Sequence, residues 1–314
     1  MNGNKSYILR LGFECNQKCL FCNITPESEP RVRRLTTEEA NDVILHQFKR
    51  EQVNTIVFSG GEPLVRKDLE KLIAYAREIG IGSTCLQTNA MGLSRERAGR
   101  LKSAGLNTAF IPLHSFLEEI FEKTTQVKGS FASSIRGTMH LLEQNVLVGI
   151  NIVVSSLNYD HIDKTVRFVH KEFGGRIPRI SFSTVQPRGF AAENGYIIPD
   201  YHLLTGYLEK GLIAAGECGI EVDNPQCGVP LCIWPADFRN LCMESVYNSS
   251  TRNRSLDKML FLDRHGQDND KIKFPLCSEC TVKNLCCGVW RDFEYFPEKT
   301  KSVQPHLYSY KCWE

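Results

Sequence analysis

Cys15, Cys19 and Cys22 fall on one short stretch, Phe13-Glu14-Cys15-Asn16-Gln17-Lys18-Cys19-Leu20-Phe21-Cys22. Thiolates bind soft metals and iron–sulfur clusters. Three of them on one loop can hold three irons of a four-iron, four-sulfur cluster. A cluster ligated wholly by protein needs a fourth thiolate, and the next cysteine along the chain is Cys85. One iron is then open to a substrate or cofactor, which makes this a site for chemistry and not for electron storage alone. The competing reading is a structural zinc site that borrows a distant fourth ligand.

Two further groups of residues carry chemistry. In Ser59-Gly60-Gly61-Glu62-Pro63-Leu64, two glycines let backbone approach a ligand closely, and the proline stiffens the segment that presents the carboxylate. Read alone, the same residues also suit a tight strand–helix connection. The other group is Cys277-x2-Cys280-x5-Cys286, followed by Cys287-Gly288. In isolation this spacing fits a zinc knuckle as well as an iron–sulfur site.

Six short apolar segments must position these residues: Tyr7 to Leu11, Thr55 to Phe58, Ser83 to Gln87, Asn107 to Leu113, Val146 to Val154 and Ile180 to Val185. Each reads as a buried strand. Amphipathic stretches lie between them. The first follows Thr36, which forms a capping box with Glu39. The second runs from Asp68 to Ile79 and stops at Gly80. The third starts at Ser94 and closes at Gly105; Ser133 to Gln144 and Asp160 to Phe173 supply two more. Repeating strand–helix units predict a parallel sheet covered by helices. Six units suit an open partial barrel, with functional groups at the carboxyl ends of its strands. After a helix at Asp200 to Ala215, strong periodicity ceases and cysteines accumulate. Nine of the thirteen lie beyond residue 190. Thr251 to Lys271 reads as a polar loop.

The net charge of +2 gives no reason to expect nucleic acid as a bulk electrostatic partner. Residues 1–5 lack the apolar core of a signal peptide. The longest apolar run, near Val146 to Val154, is too short to span a bilayer. The expectation is a cytoplasmic protein with no membrane partner. In that compartment, an odd number of cysteines in C-x2-C-type clusters points to metal and not to disulfides.

The C-x3-C-x2-C loop, with an aromatic residue before its last cysteine, together with the Gly-Gly-Glu-Pro segment resembles radical S-adenosylmethionine (SAM) enzymes. The resemblance implies that Cys15, Cys19 and Cys22 ligate a 4Fe–4S cluster whose open iron is bound by the amino and carboxylate groups of SAM. It assigns Gly60, Gly61 and Glu62 to the methionine amino group, lays the backbone of Phe21 against the adenine, and brings Asn89 and the end of the fifth strand to the cofactor. The run at Cys277, Cys280 and Cys286 resembles the auxiliary-cluster region of the SPASM and twitch subfamilies, which also draw ligands from elsewhere in the chain. Cys232 is the upstream candidate, followed by Cys227 and Cys242. A full SPASM pattern has another cysteine four positions after the third, where this chain has Trp290, so Cys287 or Cys312 are the candidate substitutes.

The resulting expectation is an α/β protein. Residues 1–190 form a partial (β/α)6 radical SAM barrel, and residues 191–314 form a small cysteine-rich α+β domain carrying at least one auxiliary 4Fe–4S cluster. The resemblance to peptide maturases implies reductive cleavage of SAM to a 5′-deoxyadenosyl radical and oxidative cross-linking of a ribosomal peptide side chain through a carbon–carbon or thioether bond. Flavodoxin or ferredoxin would donate the electron. The chain begins almost at its first strand, so peptide recognition is expected from the core or from a separate leader-binding protein. Two alternatives stay open: a radical SAM dehydrogenase or epimerase of a small molecule, and a non-catalytic zinc protein. His114 follows the fourth strand and points to the same mouth, as a titrating group or equally as a packed or merely exposed histidine. Arg188, after the sixth strand, could pair with a carboxylate, although a loop arginine is more often only solvated. Arg31 to Arg34 read as a solvated loop. Cys85 and Cys218 read as packed apolar residues.

Overall fold

The computed structural model describes residues 5–28, 32–225, 228–241, 271–286, 288–301 and 303. Seven strands follow one another across a single sheet: β1 Ser6–Arg10, β2 Thr55–Ser59, β3 Ser83–Gln87, β4 Thr108–Pro112, β5 Leu147–Val154, β6 Arg179–Thr184 and β7 Glu221–Asp223. All neighbours are parallel. Among the described residues β1 and β7 each pair on one side only, so the sheet is open. Six strands match the apolar segments of the sequence. β7 is an addition; three residues give too little periodicity to read, and it carries the sheet past residue 190 to Asp223.

Consecutive parallel strands joined by right-handed crossovers put their helices on one face. These are α1 Thr37–Glu51, α2 Leu69–Glu78, α3 Arg95–Ala104, α4 Glu118–Thr125, α5 Ser130–Glu143, α6 Ile162–Glu172, the short α7 Phe190–Glu193 and α8 Tyr201–Glu217. The capping box of α1 forms as expected. Thr36 Oγ1 accepts from the Glu39 N–H at 3.2 Å, and Glu39 Oε2 accepts from the Thr36 N–H at 2.9 Å. Asp68 flanks α2 without capping it, because its carboxylate is taken by Arg66 and the Thr37 hydroxyl. The eight-residue α4 was not legible, and α5 begins three residues before the expected Ser133.

The two faces of the sheet differ in chemistry. Alternate residues, among them Leu9, Ile56, Phe58, Leu86, Ile111, Ile150 and Phe182, join Ala40, Ile44, Leu72 and Ile73 of the helices in one apolar core. The intervening positions turn the other way and include Arg10, Ser59, Gln87, Asn151 and Ser183. A sheet buried in apolar surroundings on both sides reads as near-continuous hydrophobic runs. Here the inner face is mixed, with these polar residues set among apolar ones such as Val57 and Val153.

Beyond β7 the described residues form 3-10 turns and a two-stranded antiparallel sheet, β8 Lys271–Ile272 with β9 Val289–Trp290. This segment packs on the barrel. Phe293 meets Tyr201 edge-on at 5.0 Å, Trp234 lies 6.5 Å from Phe182, and the Thr205 hydroxyl donates to the Ile233 carbonyl at 2.9 Å. No helix among the described residues is long and apolar enough to cross a membrane.

Candidate active site

The end of β1 runs straight into the cysteine loop, which its neighbours grip at several points. The Lys18 and Leu20 amides donate to the Thr125 and Thr124 carbonyls at the end of α4, both at 3.0 Å. On the other side the Phe190 amide donates to the Cys22 carbonyl at 3.0 Å, and Asn23 Nδ2 donates to Gln186 Oε1 at 2.8 Å. Gly189 has φ +57° and sits so close that an added Cβ would lie 2.5 Å from the Cys22 carbonyl oxygen. The segment after β6 is therefore a buttress for the loop.

The three thiols are unpaired. Cys15 is exposed as a residue, but partial desolvation of its sulfur raises its pKa, with the nearby Glu62 and Cys22 adding to the shift. Burial likewise raises Cys19, where the other two thiols contribute. It raises Cys22 as well, with Arg10 acting in the opposite sense. These thiols influence one another and resist ionisation by themselves, so a cation that displaces their protons satisfies all three at once. The donor set fits an iron–sulfur cluster.

The Gly-Gly-Glu segment continues β2 alongside this loop. The Gly61 amide donates to the Gly12 carbonyl and the Glu62 amide to the Glu14 carbonyl, both at 2.8 Å. A Cβ on Gly61 would stand 2.2 Å from the Glu14 oxygen, and Gly60 has φ +124°. Both glycines are thus required where β2 meets the cysteine loop. Glu62 is 3 % exposed. Its carboxylate accepts from the Leu64 amide at 2.9 Å, the Thr88 hydroxyl at 2.5 Å and the Asn89 amide at 2.7 Å. Burial raises its pKa against these hydrogen bonds. The sequence-derived Glu62 and Asn89 are thereby joined, and Asn89 Nδ2 reaches the loop at Asn16 Oδ1, 2.7 Å away.

Phe21 meets His114 edge-on, with ring centroids 4.9 Å apart. His114 is buried and takes the packed role: Nδ1 accepts from the Val153 amide at 3.2 Å, and burial lowers its pKa to about 3. It is neutral at physiological pH. Arg188 faces protein; its guanidinium lies 4.8 Å above the Trp290 ring and 3.6 Å from the Asp292 carboxylate. Arg33 and Arg34 pair with Glu39 and Glu14 at the surface, whereas Arg31 lies outside the described residues.

Farther along the chain, Cys232, Cys277, Cys280 and Cys286 line one small cavity together with Lys273, Phe274 and Val289. The Gly288 amide donates to Cys286 Sγ at 3.3 Å. Gly288 has φ +91°, and an added Cβ would collide with the Ile272 carbonyl. Four cysteines separated by up to 54 positions in sequence are brought together here. Cys227, Cys242, Cys287 and Cys312 lie outside the described residues. Cys85 is buried and Cys218 half-buried. No three His, Cys, Asp or Glu side chains among the described residues converge as a site for a single metal ion.

Sequence reasoning missed the polar residues of the inner face. The Ser59 hydroxyl donates to Gln87 Oε1 at 2.6 Å and the Ser183 hydroxyl to Asn151 Oδ1 at 2.7 Å, which fixes each carboxamide through its oxygen. The signal was present: polar residues at alternate positions interrupt strands that otherwise read as apolar.

Residues 9–169 match the model of the Radical SAM superfamily, about half of the chain. Among curated proteins, the chain is 34% identical over 170 residues to the Fe-coproporphyrin III synthase of Methanosarcina barkeri, covering 54% of this chain and 41% of that protein. It is 28% identical over 207 residues to a probable GTP 3',8-cyclase of Sulfolobus acidocaldarius, covering 64% and 63%. The chain therefore spans less than two thirds of either relative. Among solved structures, Streptococcus suis SuiB bound to precursor peptide SuiA superposes with a TM-score of 0.61 at 17% identity, covering 98% of this chain and 75% of that one. The family match covers the strand that feeds the three-cysteine loop and the glycine–glutamate segment held against it, and on that ground the chain belongs to the radical SAM superfamily.

Proposed function

We propose that this chain cleaves SAM reductively and oxidises a side chain of a ribosomal peptide, forming a carbon–carbon or thioether cross-link. The observation that carries this reading is the cysteine loop clamped between Gly60-Gly61-Glu62, α4 and the Gln186–Phe190 segment. Cys15, Cys19 and Cys22 are the residues that would hold a 4Fe–4S cluster, and three thiolates would leave one iron for SAM. When bound and reduced, that pair supplies a 5′-deoxyadenosyl radical, which removes hydrogen from an unactivated C–H bond. Gly60 and Gly61 keep β2 near enough for Glu62 to face the cofactor. An ionised carboxylate offers about four lone-pair sites; three are filled by Leu64, Thr88 and Asn89, and the fourth serves the methionine ammonium. Asn89 fixes the loop through Asn16, and the backbone of Phe21 is the part of the loop that would meet the adenine. The polar residues of the inner face suit a substrate rich in carbonyl groups.

Cys232, Cys277, Cys280 and Cys286 are the residues that would hold an auxiliary 4Fe–4S cluster, whose chemistry is to accept the second electron that an oxidation removing two hydrogens releases. The cavity they line and the fold likeness to a peptide-bound protein over nearly the whole chain support a peptide substrate. A low-potential electron donor of the flavodoxin or ferredoxin kind and a reducing cytoplasmic setting belong to the same reading, as does a separate leader-binding protein. A small-molecule substrate is the second reading, favoured by the 34% identity over 170 residues to the Fe-coproporphyrin III synthase.

Anaerobic reconstitution followed by incubation with SAM, reductant and candidate peptides tests these points. Four irons per cluster and 5′-deoxyadenosine release are expected, with a peptide product lighter by two hydrogens. A Cys19→Ala variant should release no 5′-deoxyadenosine. Stoichiometric zinc in protein purified without oxygen would end the catalytic reading, and a mass change confined to small molecules would end the peptide one.

A further inference from the structure

We propose that Gln17 donates a hydrogen bond to the cluster held by Cys15, Cys19 and Cys22 and so sets how readily that cluster takes up an electron; this rests on the cluster assignment above. Gln17 lies inside the cysteine loop and is 8 % exposed. Its backbone N–H donates to Cys15 Sγ at 3.4 Å. Its side-chain Oε1 accepts from the Cys19 thiol at 3.6 Å. Its Nε2 is buried and has no hydrogen-bond partner among the described residues. A carboxamide carries two N–H donors and one acceptor oxygen. Here only the oxygen is engaged, and its partner is a proton that Cys19 must lose to ligate iron.

Once Cys19 is a thiolate, the arrangement inverts. Oε1 against a negative sulfur is repulsive, while the orphaned N–H₂ is the group the sulfur needs. The terminal torsion of glutamine is broad and roughly two-fold, so a half-turn exchanges the two atoms within the same space. It directs N–H toward Cys19 Sγ or the neighbouring cluster sulfide. Hydrogen bonds to cluster sulfurs are among the determinants of reduction potential. A donor stabilises the reduced state more, because that state carries more negative charge. Gln17 is a positioning and tuning residue, since it contacts ligand sulfur and not the reacting atoms of SAM.

The test uses the reconstituted full chain. The SAM-binding cluster is recognised by the change that SAM produces in its electron paramagnetic resonance spectrum. Glutamine labelled with 15N at the side-chain amide should give a hyperfine coupling to the reduced cluster, absent in Gln17→Met. In a redox titration Gln17→Met should make one-electron reduction at least tenfold less favourable, a 59 mV shift, and Gln17→Glu should shift it further in the same direction. No 15N coupling in the wild-type cluster, or an unchanged midpoint in a loaded variant, would overturn the proposal. Should the variants fail to load iron, the wild-type coupling decides. Failure of the wild type to form any four-iron cluster removes the functional reading itself, whereas a cluster that cleaves SAM without the coupling removes only the role of Gln17.

Discussion

His114 shows how one residue at the barrel mouth reads differently once its surroundings are known. In sequence it is a titratable group after a strand. In the structure its Nδ1 is spent on the Val153 amide, and its ring lies between Phe21 and Phe121. Burial depresses its pKa to about 3. The unfolded chain therefore binds a proton below about pH 6.5 that the native state refuses. Stability from this group is present above that pH and is lost as pH falls toward 3, by about 1.4 kcal/mol per unit. A His114→Phe variant should be less stable at pH 7 by about 1–2 kcal/mol, because the Val153 amide loses its acceptor. It should also have a shallower acid limb. Between pH 7 and pH 5, urea unfolding of the metal-free, reduced protein should show the wild type losing about 2 kcal/mol more than the variant. Equal losses would mean that His114 accepts a proton in the native state.

At the scale of elements, the site depends on the contact between the extension of β2 and the cysteine loop. Gly61→Ala would place a methyl group 2.2 Å from the Glu14 oxygen, against backbone that cannot rotate away. The loop must move off β2, while the apolar core on the opposite face is untouched. The expected result is a folded protein, with unchanged far-ultraviolet circular dichroism, that retains less than a tenth of the wild-type iron in its SAM-binding cluster. Normal iron loading would show that the loop tolerates separation from β2. The same contact explains what sequence could convey. Cysteine spacing and Gly-Gly-Glu-Pro were legible because each chemistry needs specific residue types close together in the chain. Strands β1 to β6 were legible because each is an apolar run bounded by turn residues. α4 was too short to show a helical period, and the fixing of Gln87 and Asn151 depends on serines 28 and 32 positions away. Arg188 reads from sequence more as a solvated loop arginine than as a ligand's partner, whereas the structure sets it against Trp290 and the Asp292 carboxylate of the same chain.

The molecule as a whole joins two cysteine sites by one short route. Cys22 bonds to Phe190. Two residues earlier Arg188 stacks on Trp290, which stands where a full SPASM pattern would have a cysteine. Four positions before Trp290, Cys286 lines the second cavity. Under the proposed function this arrangement divides the labour: the first site would govern SAM cleavage, and the second would govern whether cleavage yields product. Cys280→Ala removes a buried cysteine from the proposed second site and leaves the clamp around Cys15, Cys19 and Cys22 intact. The expected variant holds about four fewer irons per chain. It still releases 5′-deoxyadenosine in the presence of peptide, at a rate within a few-fold of wild type. It forms at least tenfold less of the product lighter by two hydrogens, because the substrate radical is left without its electron acceptor and is quenched by reductant. Iron analysis and product masses from the same incubation separate the outcomes. Undiminished cross-linking with the second site empty of iron would mean that the electron leaves by another path, and the four-cysteine cavity would then be a structural clasp on the barrel mouth.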